Sequence, residues 1–523
     1  MIDFEISSEP GCNHSENELR ELAEKKTGYP KNDIHSVILV KRSLDARKKP
    51  VYRERYRVLL NGESFKPENN PIFTSKRDVT KASPVIVAGS GPAGLFAALS
   101  LVQNNLKPVI IERGKEVRER RFDLAKLMKQ GLLNPESNYC FGEGGAGTFS
   151  DGKLYTRSHK RGKVYDILNT LVFFGAHPAI TVDAHPHIGT NKLPEIIENI
   201  RKHLLESGAK FHFNTRLEGF SIKNGVFSSA YTNKGVIDAR ALILATGHSA
   251  GDVYRLLHSD GIELQPKGFA IGVRIEHPQE IINKIQYRSF CGNPALPPAS
   301  YQLVTQASKR GVYSFCMCPG GIICPASTEE NHLVVNGWSP SRRNSPFANS
   351  GIVVEIPENC IPGSRNYPLA GLDYQGKIEE KAFQAGGGKF RAPAQRLNDF
   401  LKSKISSNLP QTSYKPGTTE GDMREILPKE IHERLKEGLS HFVKNSPLYG
   451  STDAVLVGVE SRTSSPVRIP RNDSGMHPGL KGLFPAGEGA GYAGGIISAA
   501  LDGIKIGDAV SRYLINEHYD PKA

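Results

Sequence analysis

Residues 85–102, VIVAGSGPAGLFAALSLV, join an apolar β-like run, a glycine-rich turn and a helix-forming run without a break. Gly89, Gly91 and Gly94 have the G-x-G-x-x-G spacing. In such a turn the first glycine makes the bend, the second lets the backbone approach a pyrophosphate, and the third lets the helix pack closely on the strand. The helix N-terminus adds free N–H groups and the positive end of its dipole. The stretch therefore predicts a dinucleotide-binding turn.

An acidic residue follows at the expected distance. Glu112 closes the next apolar run, PVIIERG, 18 residues after Gly94. A carboxylate at the end of this second strand is placed to accept hydrogen bonds from an adenosine ribose. It also disfavours a 2′-phosphate, so FAD or NAD fits the site better than NADP.

Length and composition indicate a globular protein of two or three domains, because the chain has 523 residues and is 38% hydrophobic. Seven cysteines, an odd number, suit a reducing cytoplasm better than a disulfide framework. No secretory signal is visible at the N-terminus. The uncharged residues 85–102 meet the length criterion for a membrane span, but their clustered glycines and proline argue against one. We expect a cytoplasmic protein without a membrane segment.

The net charge of +13 raises the question of an anionic partner. Basic residues are densest at 41–57, where a solvated pair of strands accounts for them. A nucleic-acid partner is disfavoured, since no aromatic-rich RNA-binding motif accompanies the charge, but it stays an open alternative.

The order of predicted elements indicates an α/β chain of three units. Residues 1–80 are predicted to form a small α/β domain, whose helix at 17–26 begins with a capping box of Ser15 and Glu18. Residues 81–250 and 471–523 are predicted to be the two parts of a Rossmann-like domain. Residues 251–470, rich in Pro, Gly and Asn, are predicted to form an inserted α+β substrate or cap domain.

Three short strands precede the last strand of the 81–250 part. They cover residues 217–223, 226–232 and 235–239, with hairpin turn signals between them. The apolar strand ALILATG, residues 241–247, follows. NAD dehydrogenase folds usually connect parallel strands by helices, so this antiparallel meander favours FAD over NAD.

Several elements now stand in a specific order: the GSGPAG turn, Glu112-Arg113, the meander, the ATG strand end and the terminal run FPAGEGAGYAGG. In them the chain resembles the FAD-dependent oxidoreductases of the glutathione-reductase-type fold. The run FGEGGAGTFSDGKL and the N-terminal extension are similar to a bacterial group described as NAD(FAD)-utilising dehydrogenases.

The resemblance implies non-covalent FAD. Arg113 would lie beside the adenine, Leu217 would contact it through the backbone, and Glu488 would bind the ribityl or pyrophosphate. A helix opened by residues 494–496 would direct N–H groups at the flavin pyrimidine edge. The implied set is Gly89, Ser90, Gly91, Pro92, Ala93, Gly94, Glu112, Arg113, Gly145, Gly147, Thr148, Phe149, Ser150, Asp151, Leu217, Thr246, Gly247, Gly487, Glu488, Gly494, Gly495 and Ile496.

A second G-x-G-x-x-G lies within residues 142–152, but no strand precedes it. It favours a loop against the flavin or pyrophosphate, with a plain surface loop as the alternative. No second strand–turn–helix for a resident NAD(P)H is visible. NAD(P)H then docks transiently in the substrate cleft as electron donor, or the substrate itself reduces the flavin; both remain open.

Catalytic candidates are fewer. Cys316 and Cys318, with Cys324 nearby, form a redox-active pair, part of a metal set, or buried small apolar residues. The last interpretation is favoured, and no metal site is predicted. His248, after the ATG strand end, is an acid or base near the ring, or a turn residue satisfied by backbone.

The run GVESRTSSPVRIPR, residues 458–471, concentrates charge before the terminal segment. Arg462, Arg468 and Arg471 there could clamp an anionic substrate or phosphate. Equally, Glu460 forms a structural ion pair with one of the arginines.

The function expected from all of this is a two-electron oxidation or reduction of a small-molecule substrate by an FAD-dependent oxidoreductase. A flavin-dependent RNA-modifying enzyme is one alternative, favoured by the positive charge and the N-terminal unit. A non-catalytic FAD-binding scaffold is another. The sequence identifies neither the substrate nor the oligomeric state.

Overall fold

The computed structural model describes residues 2–64, 72–155 and 162–518, with the backbone alone for 516–518. The chain begins with a three-stranded antiparallel sheet in the order β1-β3-β2. Its elements are β1 (Ile2–Ser8), α1 (Glu16–Thr27), β2 (Ile34–Asp45) and β3 (Val51–Leu60). The Ser15 side chain accepts from the Glu18 N–H, and the Glu18 side chain accepts from the Ser15 N–H, so the predicted capping box is confirmed.

The glycine turn lies between β4 (Pro84–Ala88) and α2 (Pro92–Gln103). Pro92 suits the first helical position, where the N–H it lacks has no partner in any helix. Residues 93–102 of α2 are all buried, as expected of a helix that is apolar on every side and lies in a core. The predicted strand–turn–helix is confirmed. In the described part of the chain, no helix is long and apolar enough to span a bilayer.

Strands and helices follow in mixed order up to residue 259. They are β5 (Lys107–Ile111), α3 (Val117–Gln130), α4 (Val164–Phe173), α5 (Leu193–Glu206), β6 (Lys210–His212), β7 (Leu217–Lys223), β8 (Val226–Thr232), β9 (Gly235–Asp238), β10 (Leu242–Leu244) and α6 (Gly251–Ser259). Strands β7, β8 and β9 form an antiparallel sheet of their own, which confirms the predicted meander.

The next part of the chain builds a mostly antiparallel seven-stranded sheet. Its elements are β11 (Gln265–Pro266), β12 (Phe269–Pro278), α7 (Gln279–Tyr287), β13 (Val304–Ala307), β14 (Arg310–Cys318), β15 (Ile322–Pro325), β16 (Val335–Trp338), β17 (Phe347–Ile356), α8 (Ala370–Ala385), β18 (Ala392–Arg396), α9 (Leu397–Leu401), β19 (Thr418–Glu420), α10 (Met423–Ile426), α11 (Lys429–Asn445), β20 (Val455–Glu460) and β21 (Val467–Arg468). The order is β13-β14-β17-β12-β20-β18-β19, and β11–β21 and β15–β16 pair separately.

The last described elements are β22 (Leu483–Pro485) and α12 (Ile496–His518). We predicted that the helix opens at residue 494, and this was wrong by two residues. Gly495 has a φ of 92°, which an α-helix cannot contain.

A parallel sheet in the order β22-β10-β4-β5-β6 joins the early and late parts of the chain. Helix α12 lies directly on α2, and a Cβ on Gly503 would come within 2.1 Å of the Ala93 carbonyl oxygen. Both helices share one apolar core. The mixed α/β class agrees with the expectation, and the boundaries at residues 80, 250 and 470 stay predictions.

Candidate functional site

A cavity opens at the carboxyl ends of the parallel strands. Ala88 and Ile111 end β4 and β5, Ala245 and Ala486 follow β10 and β22, and all four line it. Parallel α/β sheets bind ligands at this edge. Most of the other lining residues come from the glycine turn, Glu112 and Arg113, the loop at 139–153, residues 215–217 and 246–250, β14 and the chain's last segment.

Most predicted cofactor residues lie on this wall. Those lining the cavity are Gly89, Gly91, Pro92, Ala93, Glu112, Arg113, Gly145, Gly147, Ser150, Asp151, Leu217, Thr246, Gly247, Glu488, Gly495 and Ile496. Those outside the lining are Ser90, Gly94, Thr148, Phe149, Gly487 and Gly494. Direct contact of each with a cofactor stays a prediction.

The space around the three glycines of the turn differs, so a side chain would be excluded at two of them by the protein itself and tolerated at the third. Gly89 has a φ of 103°, and a Cβ there would come within 2.4 Å of the Ala245 carbonyl oxygen. A Cβ on Gly94 would lie 1.9 Å from the Gly89 carbonyl oxygen. On Gly91, in contrast, it would meet only the Cα of Gly145, at 3.8 Å. The protein itself requires two of the glycines, while the third keeps cavity space open.

Glu112 fastens the turn to the neighbouring loop. Its Oε2 accepts from the N–H and hydroxyl of Ser90, at 3.0 and 2.7 Å. Its Oε1 accepts from the N–H groups of Gly114 and Gly142, at 2.9 and 3.0 Å. A carboxylate offers about four acceptor positions, so all are engaged. The predicted ribose contact requires the Ser90 hydroxyl to turn away.

Arg113 lies at the edge of the cavity. Its Nε donates to Glu136 at 3.0 Å and its Nη1 donates to Asp252 at 3.1 Å. Its guanidinium carbon lies 4.1 Å from the centre of the Phe141 ring. The side chain is thus a fixed, planar element of the wall.

A buried arginine that sequence reasoning missed holds the loop at 139–153. Arg120 is fully buried, and burial lowers its pKa to about 10. It donates to the carbonyls of Asn138, Tyr139, Glu143 and Gly145 at 2.6 to 2.9 Å. The charged run RERR within α3 gave no sign that this one arginine points inward.

The loop turns some of its predicted residues away from the cavity. The Thr148 hydroxyl donates to the Glu143 carbonyl at 3.1 Å, and Phe149 packs under the guanidinium of Arg120. Asp151 lines the cavity and pairs with Arg343, with Nη2 and Oδ2 2.7 Å apart.

The terminal segment is held by an aspartate of α12 that the sequence did not single out. Asp502 accepts from the Gly487 N–H at 2.7 Å and from both terminal nitrogens of Arg471 at 3.0 Å. Glu488, which follows Gly487 in the chain, lines the cavity. Its Oε2 lies 3.8 Å from Nδ1 of His248.

The structure separates the remaining catalytic candidates. His248, Cys316 and Arg462 line the cavity, whereas Cys318 and Glu460 are buried outside its lining. Arg468 is exposed on β21, near the ring of Tyr492. The grouping of Arg462 with Arg468 in an anion clamp therefore finds no support in their placement.

Glu460 and Arg462 of the 458–471 run each pair with a residue outside the run. Glu460 pairs with Arg274 of β12, at 2.5 Å, and not with an arginine of its own segment. Arg462 donates to both Glu379 oxygens, at 3.0 and 2.8 Å, and to the Thr328 hydroxyl at 2.6 Å. One alternative from the sequence was an ion pair between Glu460 and an arginine of residues 458–471. That prediction was wrong about the partner, which is Arg274.

Other lining residues were missed, although five of them lie within the quoted runs at 141–154 and 458–471. They are Tyr139, Cys140, Phe141, Ala146, Gly152, Lys153, Thr215, Arg216, Ser249, Ala250, Val253, Phe315, Asn336, Thr463 and Ala499. Most lie in loops or at strand ends, where single-chain patterns are weakest.

Comparison with known proteins places the chain in a family. Residues 268–463 match the family described as FAD-dependent protein, C-terminal domain-like, and residues 1–59 match a domain of unknown function. An uncharacterised protein of Clostridium beijerinckii is 43% identical over 506 residues, which are 93% of this chain and 94% of that protein. The chain belongs to the family of this clostridial protein. In this family member, the FAD-dependent match begins just before β12 and ends just after β20.

Three solved structures that match the chain do so at low identity and low TM-scores. A geranylgeranyl bacteriochlorophyll reductase-like protein from Thermoplasma acidophilum is 13% identical, with a TM-score of 0.35 and coverage of 84% of this chain and 81% of that chain. L-proline dehydrogenase from P. horikoshii is 13% identical, with a TM-score of 0.33 and coverage of 83% and 94%. A halogenase in complex with FAD is 11% identical, with a TM-score of 0.38 and coverage of 84% and 71%. Scores of this size carry no weight for function.

Proposed function

We propose that this protein is an FAD-dependent oxidoreductase that holds FAD non-covalently and exchanges two electrons with a small-molecule substrate. One observation carries the proposal. A single cavity at the carboxyl edge of a parallel sheet is lined by the glycine turn, by Glu112 and Leu217, and by Glu488 and Ile496 of the last segment. The match of residues 268–463 to an FAD-dependent family supports it, and the glutathione-reductase-type fold belongs to the same proposal.

The residues present fit a dinucleotide. The open side of Gly91 leaves room for a pyrophosphate, and the first turn of α2 supplies N–H groups that lack partners within the helix. In this proposal Glu112 and Arg113 would face the adenosine, and Gly495 and Ile496, at the start of α12, would face the flavin; all four residues line the cavity. When bound, the flavin supplies hydride exchange, while the protein supplies position and electrostatics.

An imidazole and a carboxylate lie side by side in the wall. His248 Nδ1 and Glu488 Oε2 are 3.8 Å apart, and both residues line the cavity, so an acid or base role toward a substrate belongs to this pair in the proposal. In this proposal the substrate would meet Phe315, Asn336 and Thr463, which line the same cavity and come from the region predicted to be an inserted domain. Because Glu379 already neutralises Arg462, an anionic substrate has weaker support than an uncharged one.

The test is the flavin content of the purified full-length protein. We expect a yellow protein that releases FAD on denaturation, identified by chromatography against FAD and FMN standards. Anaerobic mixing with NADH and with NADPH then shows whether either bleaches the flavin, as expected if a nicotinamide donor docks transiently. A folded protein that neither contains nor takes up FAD would contradict the proposal.

A further inference from the structure

The outer edge of the N-terminal sheet is joined to a distant part of the chain. Strand β2 is an edge strand of that sheet, and its residue Arg42 uses both backbone groups outside the sheet. The Arg42 N–H donates to the Val182 carbonyl at 2.8 Å, and the Arg42 carbonyl accepts from the Ala184 N–H at 2.8 Å. The side chain donates to Oδ1 of Asp183 from Nε at 3.2 Å and from Nη2 at 3.1 Å. Residues 182–184 therefore extend the sheet by a single parallel bridge.

The same segment then runs beside a loop of the cavity wall. The Leu154 N–H donates to the Pro186 carbonyl at 2.9 Å, and the Ile188 N–H donates to the Gly152 carbonyl at 3.1 Å. A third backbone bond, also of 3.1 Å, joins the residues next to this second pair. The residues of this loop that line the cavity are Asp151, Gly152 and Lys153. Three bonds within a few positions therefore fix this part of the wall against residues 186–189.

The far end of the segment meets the region predicted to be an inserted domain. The Ser341 N–H donates to the side-chain oxygen of Asn191 at 2.8 Å. At Gly189 the two backbones approach so closely that a Cβ there would lie 2.3 Å from the Ser341 nitrogen. Residues 182–191 belong to no helix and contain only isolated bridges. Their position is therefore set by these contacts at both ends.

We propose that the N-terminal unit is a positioning element of the ligand cavity. Its edge strand holds residues 182–191, and these hold the loop at 151–153 in the cavity wall, so a ligand meets a wall that is already ordered. Arg42 and Asp183 are positioning residues, because they act on the cavity only through this segment. A role is thereby given to residues 1–59, which match a domain of unknown function. The role concerns the wall itself, whatever the cavity binds, and goes beyond the function proposed above.

Arg42→Pro in the full-length chain removes the bond to Val182. The N–H that is lost faces away from β3, and proline is tolerated in an edge strand at such a position. Arg42→Ala is the matched control, because it keeps both backbone bonds and removes only side-chain contacts. Its ion pair with Asp183 is partly exposed and contributes little. A difference between the two variants therefore reports on the backbone bridge.

Hydrogen exchange followed by mass spectrometry measures the effect at the cavity loop. In Arg42→Pro we expect the amides of Leu154 and Ile188 to exchange at least about fivefold faster than in wild type, because their hydrogen bonds open more often. In Arg42→Ala they should exchange as in wild type, and peptides of β12 should be unchanged in both variants. Unchanged exchange of Leu154 and Ile188 in Arg42→Pro would overturn the proposal, whether or not the amides at 182–184 exchange faster.

Ala184→Pro removes the other backbone bond of the bridge and leaves the N-terminal sheet untouched. It decides the test where Arg42→Pro also speeds exchange throughout β1, since the sheet itself would then have opened. The same increase at Leu154 and Ile188 is expected. Wild-type exchange of these two amides in Ala184→Pro would contradict the proposal.

Titration with FAD, followed by its fluorescence, shows whether the loop matters to a ligand. We expect the dissociation constant of Arg42→Pro to exceed that of wild type by at least about threefold with an unchanged thermal melt, since ordering the wall adds to the cost of binding. Arg42→Ala should bind as wild type does, and equal binding by all three proteins would overturn the role in the cavity. A wild-type protein that binds no FAD contradicts the function proposed above instead, and the exchange rates alone then decide the role of the N-terminal unit.

Discussion

Gly91 and Gly145 face each other at one end of the cavity, and a Cβ built on Gly91 would lie 3.8 Å from the Cα of Gly145 with no other such contact within 4 Å. The Gly91 backbone is extended, with a φ of −72° and a ψ of −177°, which valine also adopts. Gly91→Val should therefore fold, with its side chain in the space proposed for the pyrophosphate. We expect a colourless protein with a wild-type circular dichroism spectrum, measured against flavin absorbance. Full FAD occupancy in this variant would contradict the placement.

Gly94→Ala should act on the fold instead. Its Cβ would lie 1.9 Å from the Gly89 carbonyl oxygen, so α2 must move away from the turn. Overpacking of this kind costs about 1–3 kcal/mol. Urea unfolding should show this loss in the free energy of unfolding even in cofactor-free protein, unlike for Gly91→Val. An unchanged midpoint would show that the turn adapts.

Glu112→Gln tests whether the hydrogen bonds of the Glu112 carboxylate stabilise the glycine turn and the neighbouring loop. Its two oxygens accept from Ser90, Gly114 and Gly142, and an amide would turn an NH2 group toward two of these donors. A buried donor left without an acceptor costs about 1–3 kcal/mol. We expect a lower urea midpoint and weaker FAD retention. Glu218→Gln, in an exposed pair with Arg216, is the control and should change neither.

Arg274→Met should be the most destabilising of these variants. Arg274 and Glu460 are both buried, 2.5 Å apart, and the change leaves the carboxylate without its partner. Removing one member of a buried pair costs about 3–5 kcal/mol. The double variant Arg274→Met/Glu460→Leu removes both charges and should recover part of the loss. If thermal melts show the double variant to be no more stable than the single one, the ion pair is not the main contribution.

Glu276 should make stability depend on pH. It is buried, accepts from the Ser413 N–H at 2.7 Å, and has its pKa raised by burial from 4.5 to about 7. The folded state thus binds this proton more tightly than the unfolded state. Its contribution is fully present below about pH 4.5 and is lost as the pH rises to about 7. The difference in unfolding free energy between wild type and Glu276→Gln should shift by a few kcal/mol across that window, and a flat difference would contradict it.

Some elements of this protein could be predicted from the sequence because they depend only on residues that are close together in the chain. The glycine turn, the capping box at Ser15 and the meander each depend on residues within about ten positions of one another. Their periodicity and turn chemistry are set before any long-range packing, and the structure confirms all three. The terminal helix was also predicted, with its start misplaced because a glycine run does not show which of its residues has a positive φ.

Only the tertiary structure decided which charged residues lie inside. Arg120 appears in a charged helical run, yet it is fully buried against four carbonyls. Arg274 and Glu460 are 186 positions apart, and they meet because β12 pairs with β20. Strand β14 has a β-bulge between Phe315 and Cys318, where Cys316 reaches the cavity, and this bulge likewise depends on the pairing of β14 with β17. Such contacts form only when distant strands come into register, and no pattern within a single segment encodes that register.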